Sequence, residues 1–243
     1  ISKVIHNESY RTDLLETLSL QNITLSENEI AEMFIADLLT EIPVTKLLSA
    51  VNNPSDKEII SEKAVNEPIA EINTAISAAK SVNSKDANAN LTAGTVLMNS
   101  TKTALKQVRD IVGATSTKYQ IVADNLAKQI LQCGINYYNN ASDDDVESPR
   151  KAMSFQAYAL QIAIGKLTKD RCQENYDILK KAVDNMPPAE VAIETRKIKE
   201  ELRKFCQQPD KISHSITLLN NTKPLLQTIK AKIGTANMFY LSL

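Results

Sequence analysis

Gly165-Lys166-Leu167-Thr168 is the nearest the chain comes to a phosphate-cradling loop. Such a loop carries an earlier glycine where this sequence has Leu160, and its hydroxyl residue directly follows the lysine, where Leu167 stands. The pattern fails at both places, and Gly165 reads instead as the glycine that ends a helix. A dinucleotide fingerprint of spaced glycines is absent as well. The carboxylates that start at Asp143 suit calcium in type. A calcium loop, however, needs glycine at its sixth position and Glu at its twelfth, where Ser148 and Ser154 are found. A solvated linker is the expectation there. His6 and His214 stand far apart without a histidine neighbour at helical spacing, so no metal site is expected. Cys172 paired with His214 has the residue types of a nucleophile and base but lies in no matching signature, and a thiol filling a helix stripe is the expected role. Cys133, Cys172 and Cys206 are an odd set without a close pair, which argues against disulfides and zinc and for reduced, core-filling thiols. No catalytic residue and no cofactor follow from these patterns.

Groups that do no chemistry must still be positioned, and the composition says by what. Only 5 Gly and 8 Pro among 243 residues leave too few turn residues for a sandwich or barrel. An apolar share of 43% and a mean hydropathy of -0.24 are enough to build a core. The fold class expected is therefore all-α. Lys+Arg 28 against Asp+Glu 29 leaves a net charge of -1, and their interspersion gives no footprint for nucleic acid. No apolar run approaches the ~18 residues of a membrane span, and no leader pattern opens the chain; a cytoplasmic protein is the expectation. The sequence opens on Ile1 rather than Met, which leaves room for a removed signal or an upstream domain. It stops a few residues into what a 121-residue shift matches to the start of a long helix, so it reads as a fragment of a longer chain. Six Asn-x-Ser/Thr sequons, the first at Asn7, would count only in a secreted protein.

The clearest helix covers 116–139, where Tyr119, Val122, Leu126, Ile130, Cys133 and Tyr137 recur at spacings of three and four. A second stripe runs through Cys172, Tyr176, Leu179, Val183 and Met186, with Thr168 as its expected cap and Pro187-Pro188 as its stop. Ser148-Pro149 reads as a cap and first residue of a helix to about Ile164. Ser26 to Glu29 and Ser55 to Glu58 have capping-box spacing, which places helix starts near 27 and 56. Residues 194–204 read as a solvated amphipathic helix.

Shifting the chain by 121 positions lays 95–122 over 216–243 without a gap. Seven of those 28 pairs are identical, where average composition gives about two. They are Leu97/Leu218, Asn99/Asn220, Thr101/Thr222, Lys102/Lys223, Leu105/Leu226, Gly113/Gly234 and Tyr119/Tyr240. Ile60 to Val65 also matches Ile178 to Val183 at a nearby offset. A tandem duplication into 1–121 and 122–243 is the expectation, as two bundles or stacked helix pairs of roughly ten helices. Pro224 is cheapest in a first turn, which predicts a helix starting near 223, capped by Asn221 or Thr222, and by correspondence one starting near Lys102. Gly113 and Gly234 then end them. Lys102 and Lys223 are not explained by capping, because a cation disfavours a first helical turn. They are the candidate partner-binding residues.

Residues 130–164 resemble one tetratricopeptide unit through Gly134, Tyr137, Ala152 and Ala159. Residues 70–105, rich in Ala, Ser and Thr, are similar in character to helical bundles of cytoskeletal adaptors. Both resemblances imply a scaffold that binds other proteins. The function expected is a non-catalytic protein-interaction or assembly module, with a protein partner and no nucleic acid or membrane span. The alternatives are an enzyme or small-molecule carrier with an inter-helix pocket, and a regulatory segment of a larger enzyme.

Overall fold

A computed structural model describes residues 8–21, 23–142 and 145–241. Those residues form eleven α-helices and one 3-10 turn, with no strand among them. The helices are α1 Glu8–Leu20, α2 Glu27–Glu41, α3 Val44–Ala50, α4 Pro54–Lys80, α5 Ala87–Val112, α6 Thr117–Asn140, α7 Ser148–Ile162, α8 Lys166–Asp184, α9 Ala192–Cys206, α10 Ile212–Ile233 and α11 Met238–Leu241; the 3-10 turn Ala189–Val191 precedes α9.

Local chemistry starts several of them. Ser26 Oγ accepts from the Glu29 N–H while the Glu29 carboxylate accepts from the Ser26 N–H at 2.7 Å, so the box at the head of α2 closes in both directions. Asp86 caps α5 by accepting from the Ala89 N–H at 2.9 Å. At the other end, Gly113 takes φ +86 and returns its N–H to the Arg109 carbonyl; Gly234 ends α10 in the same way at φ +74 with its N–H on Lys230.

From α4 to α8 each helix packs on the next, and α6 lies at the centre. Its stripe is buried without exception at Ala123, Leu126, Ala127, Ile130 and Leu131. Gly94 of α5 lets the α7 ring of Phe155 in: a Cβ there would stand 2.8 Å from the ring and 3.0 Å from Cβ of Cys133. Asn136 donates to Asn90 and Asn140 to the Ser84 carbonyl, so the C-terminal half of α6 lies over the N-terminal half of α5. The four residues behind the tetratricopeptide resemblance, Gly134, Tyr137, Ala152 and Ala159, are all buried in this core, two on α6 and two on α7. A smaller cluster joins α2, α3 and α4 around Ile35, Leu47 and Ile60. The pair α9–α10 has its own small core of Val191, Ile198 and Ile229, closed at one end by Phe239 and Tyr240.

Helix ends repeat along the chain. Glu27–Glu41 and Ser148–Ile162 stand 121 apart at both ends, as do the last residues of α5 and α10 and the first residues of α6 and α11. The Thr101 hydroxyl donates to the Leu97 carbonyl at 2.7 Å and Thr222 to Leu218 at 2.8 Å. A further correspondence escapes the ungapped comparison: Pro68-Ile69-Ala70-Glu71-Ile72 against Pro187-Pro188-Ala189-Glu190-Val191, with Ile72 and Val191 both fully buried. The chain stays helical through Pro68 in α4 but breaks at Pro187-Pro188 between α8 and α9. Ile178 to Val183 consequently lies in α8, whereas the helix packed on α10 is α9.

Several expected boundaries are corrected. No helix begins near 102 or 223: α5 and α10 run unbroken through Lys102 and through Pro224. The threonines expected as caps instead return their hydroxyls to the preceding turn, an arrangement open to Thr inside a helix. Gly165 does not end a helix. It is the residue before α8, at φ -62, and a Cβ on it would run into the Asp124 carboxylate, which accepts from the Ile164 and Gly165 N–H groups. Thr168 accordingly lies within α8, and Ser148 is the first residue of α7 rather than its cap. Asn53, accepting from Ser55 N–H, starts α4 in place of a Ser55–Glu58 box.

Candidate functional site

Lys102 lies mid-helix on α5 and borders an open cleft of about 250 Å³ where α5 meets α6 and α7. Three cations one helical turn apart face it from α5: Lys102, Lys106 and Arg109. Opposite them stand Tyr119 from the first turn of α6, and Tyr158 and Gln161 from the last turns of α7. No carboxylate lines the cleft. Asp110, just outside it, takes Lys106 at 2.6 Å and approaches Nε of Arg109 at 3.5 Å.

The other polar groups are unengaged. Among the described residues, Lys102, Gln161 and the hydroxyls of Tyr119 and Tyr158 make no hydrogen bond or ion pair. Tyr119 is only 7% exposed, but its hydroxyl is not among the buried atoms without a partner and so opens to solvent at the cleft. Burial pushes the Tyr158 hydroxyl above the ordinary phenol value, with a smaller push from Tyr119 beside it, so it stays a neutral donor.

Lys223 sits on α10 at the place Lys102 holds on α5, and it too has no partner among the described residues. The structure does not bring the two lysines into one site. Arg109 and Tyr119 have counterparts in Lys230 and Tyr240, but among the described residues no helix meets α10 there as α7 meets α5 at the cleft. That flank of α10 is bare: Ile212 is 82% exposed and Leu219 60%. The matching residues of α5, Leu91 and Met98, pack against the main core.

Other features do less. A groove of about 540 Å³ between α4 and α5 is walled by Ala75, Ala79, Ala93 and Val96, and Asp86 at its rim is already committed to the α5 cap. Cys133 and Cys172 are buried, and burial pushes both thiols up, which disfavours the thiolate. Cys206 is exposed, contrary to its expected place in the core. His214 lies in the first turn of α10 with Nδ1 2.9 Å from the Pro209 carbonyl oxygen, while His6, Asp143 and Asp144 fall outside the described residues. Asp145 is not a free linker charge: it accepts from the Tyr137 hydroxyl at 2.6 Å and pairs with Lys151. No group of three or more His, Cys, Asp or Glu able to hold a metal ion occurs among the described residues, and none of the helices described is long and apolar enough to cross a membrane.

The sequence offered Lys102 but not its company. Tyr119 and Arg109 recur in the second half, a signal that core packing and conservative exchange were enough to explain; Tyr158 and Gln161 come from α7, which the aligned block does not include. No protein-family model, curated protein or solved structure matches the chain.

Proposed function

We propose that this chain is a non-catalytic assembly module built by tandem duplication, in which α10 receives an amphipathic helix from a protein partner. The bare flank of α10 carries the reading. Leu91 and Met98, at the matching places on α5, pack against the main core, whereas Ile212 and Leu219 on α10 are 82% and 60% exposed. Covering two such side chains is worth about 1.5–3 kcal/mol each. The repeated helix ends, the paired Thr101 and Thr222 bonds and the two Gly-terminated helices support the duplication. The occupant has the chemistry of α6: apolar residues at spacings of three and four, laid along α10 as helix-in-groove recognition requires.

The test uses the 243-residue chain and a synthetic peptide of residues 117–140. Amide NMR should show saturable shifts confined to α10 and its neighbours, with Kd of roughly 10–1000 μM. Ile212→Gln with Leu219→Gln, both at exposed positions, should weaken binding at least about tenfold. Shifts that never saturate, or that survive the double substitution, overturn the proposal.

A further inference from the structure

The cleft at Lys102 is a different surface from the bare flank of α10, and its chemistry does not depend on that helix site. Five side chains bring donors to it: the Lys102 ammonium, the Arg109 guanidinium, the phenols of Tyr119 and Tyr158, and the Gln161 amide. Asp110 pairs with Lys106 at 2.6 Å and approaches Nε of Arg109 at 3.5 Å, and Arg109 lines the cleft. Surface lysines alone are common and mean little. Tyr119 is 7% exposed, yet its hydroxyl is not among the buried atoms without a partner, so a largely buried ring holds its donor open at the cleft beside the Lys102 and Arg109 cations.

We propose that this cleft binds the phosphate group of a phosphate monoester. Phosphate is favoured over carboxylate by count and by charge. A carboxylate presents two oxygens and one negative charge, whereas a monoester presents three oxygens and carries about -1.5 to -2 at neutral pH. Three cations against the single carboxylate of Asp110 leave a local excess of two. Arg109 supplies the planar fork that pairs with two phosphate oxygens, and Lys102 supplies a point charge. Neutral phenols donate to the oxygens without adding charge. Lys223, Lys230 and Tyr240 repeat three of the five donors, without a counterpart of Tyr158 or Gln161 among the described residues, and serve as the control.

The experiment follows the chain's 7 tyrosines by ring-carbon NMR at fixed ionic strength, with inorganic phosphate, phenyl phosphate and acetate as probes. Tyr119 and Tyr158 should shift saturably with inorganic phosphate. Lys102→Gln with Arg109→Gln should weaken that binding at least about tenfold, and Tyr158→Phe, which keeps the ring, about three- to tenfold. Lys223→Gln should change it less than about twofold, since it touches only the incomplete set. Phenyl phosphate binding more tightly than phosphate places the rest of the monoester in the cleft; equal affinity places the phosphate alone there, and either result upholds the site. Unsaturable shifts, an unchanged affinity in the Lys102 and Arg109 variant, or acetate saturating the same resonances as tightly as phosphate overturns it. The α10 peptide experiment reads other residues, so either proposal fails without the other.

Discussion

Tyr137 shows how much one polar contact at the edge of the core decides. Its ring is 1% exposed on α6, and its hydroxyl reaches out to Asp145, which also holds Lys151. Burial pushes the Tyr137 phenol up, and the Asp145 charge pushes it further in the same direction. Burial alone would raise Asp145 too, but the Tyr137 hydroxyl and Lys151 outweigh it and hold that carboxyl below its ordinary value. The two shifts act at opposite ends of the pH scale. Asp145 contributes stability that is complete above its ordinary value of 3.8 and is lost as pH falls through the lowered folded value. Tyr137 contributes stability that is complete below its ordinary value of 10.0 and is lost as pH rises past it. Tyr137→Phe should therefore cost about 1 kcal/mol at pH 7, with the gap to the parent narrowing below pH 3.8 and again above pH 10.0. Denaturant melts across that range decide it: a gap independent of pH would show that the hydroxyl contributes nothing through Asp145.

Among the helices, the strongest sequence signals are the ones the structure keeps. The stripe of α6 was legible residue by residue because a fully buried helix must repeat apolar positions every three or four. The capping box at Ser26 was legible because both of its partners are local. Pro224 misled for a physical reason: a proline inside a helix costs about 3 kcal/mol in isolation, yet Asn221 before it bonds Glu201 of α9 and Leu225, Leu226 and Ile229 after it pack in the α9–α10 cluster, and those contacts keep the helix whole. The cleft was half legible, since Lys102 was marked by repetition while Tyr158 meets it only through the path of α6 and α7. Gly113 and Gly234 combine repetition with local chemistry. Their φ/ψ values of 86/153 and 74/165 lie where only glycine is comfortable, and nothing stands within 4 Å of an added Cβ. Alanine at either site should thus cost about 1–3 kcal/mol through the backbone alone. Thermal melts of the two single variants check this; a loss well under 0.5 kcal/mol at both would mean that the helix ends rearrange freely.

At the scale of the molecule, buried apolar residues are distributed very unequally. The main cluster gathers Val65 through Leu179 on five successive helices, whereas the α9–α10 cluster has only Val191, Ile198 and Ile229 as buried members, with partly buried residues such as Leu225 and Leu226 packed against them. Each such side chain contributes about 1.5–3 kcal/mol, so the α9–α10 pair carries a small fraction of the burial that holds α4 to α8 together. It is joined to them through the break at 185–188, where Arg150 reaches the Pro187 carbonyl at 3.0 Å. Opening of this pair should then be possible without opening the rest. Native-state hydrogen exchange is expected to show amides of α10 from Thr222 to Ile229 exchanging at a free energy at least about 2 kcal/mol below those of α6 from Ala123 to Leu131. The residue 117–140 peptide, if it covers the bare flank of α10, should raise the first value and leave the second unchanged, because a ligand stabilises only the state that binds it. Equal exchange energies in both helices without peptide would mean that the two parts unfold as one, and the small cluster around Ile229 would then be drawing its stability from the main core.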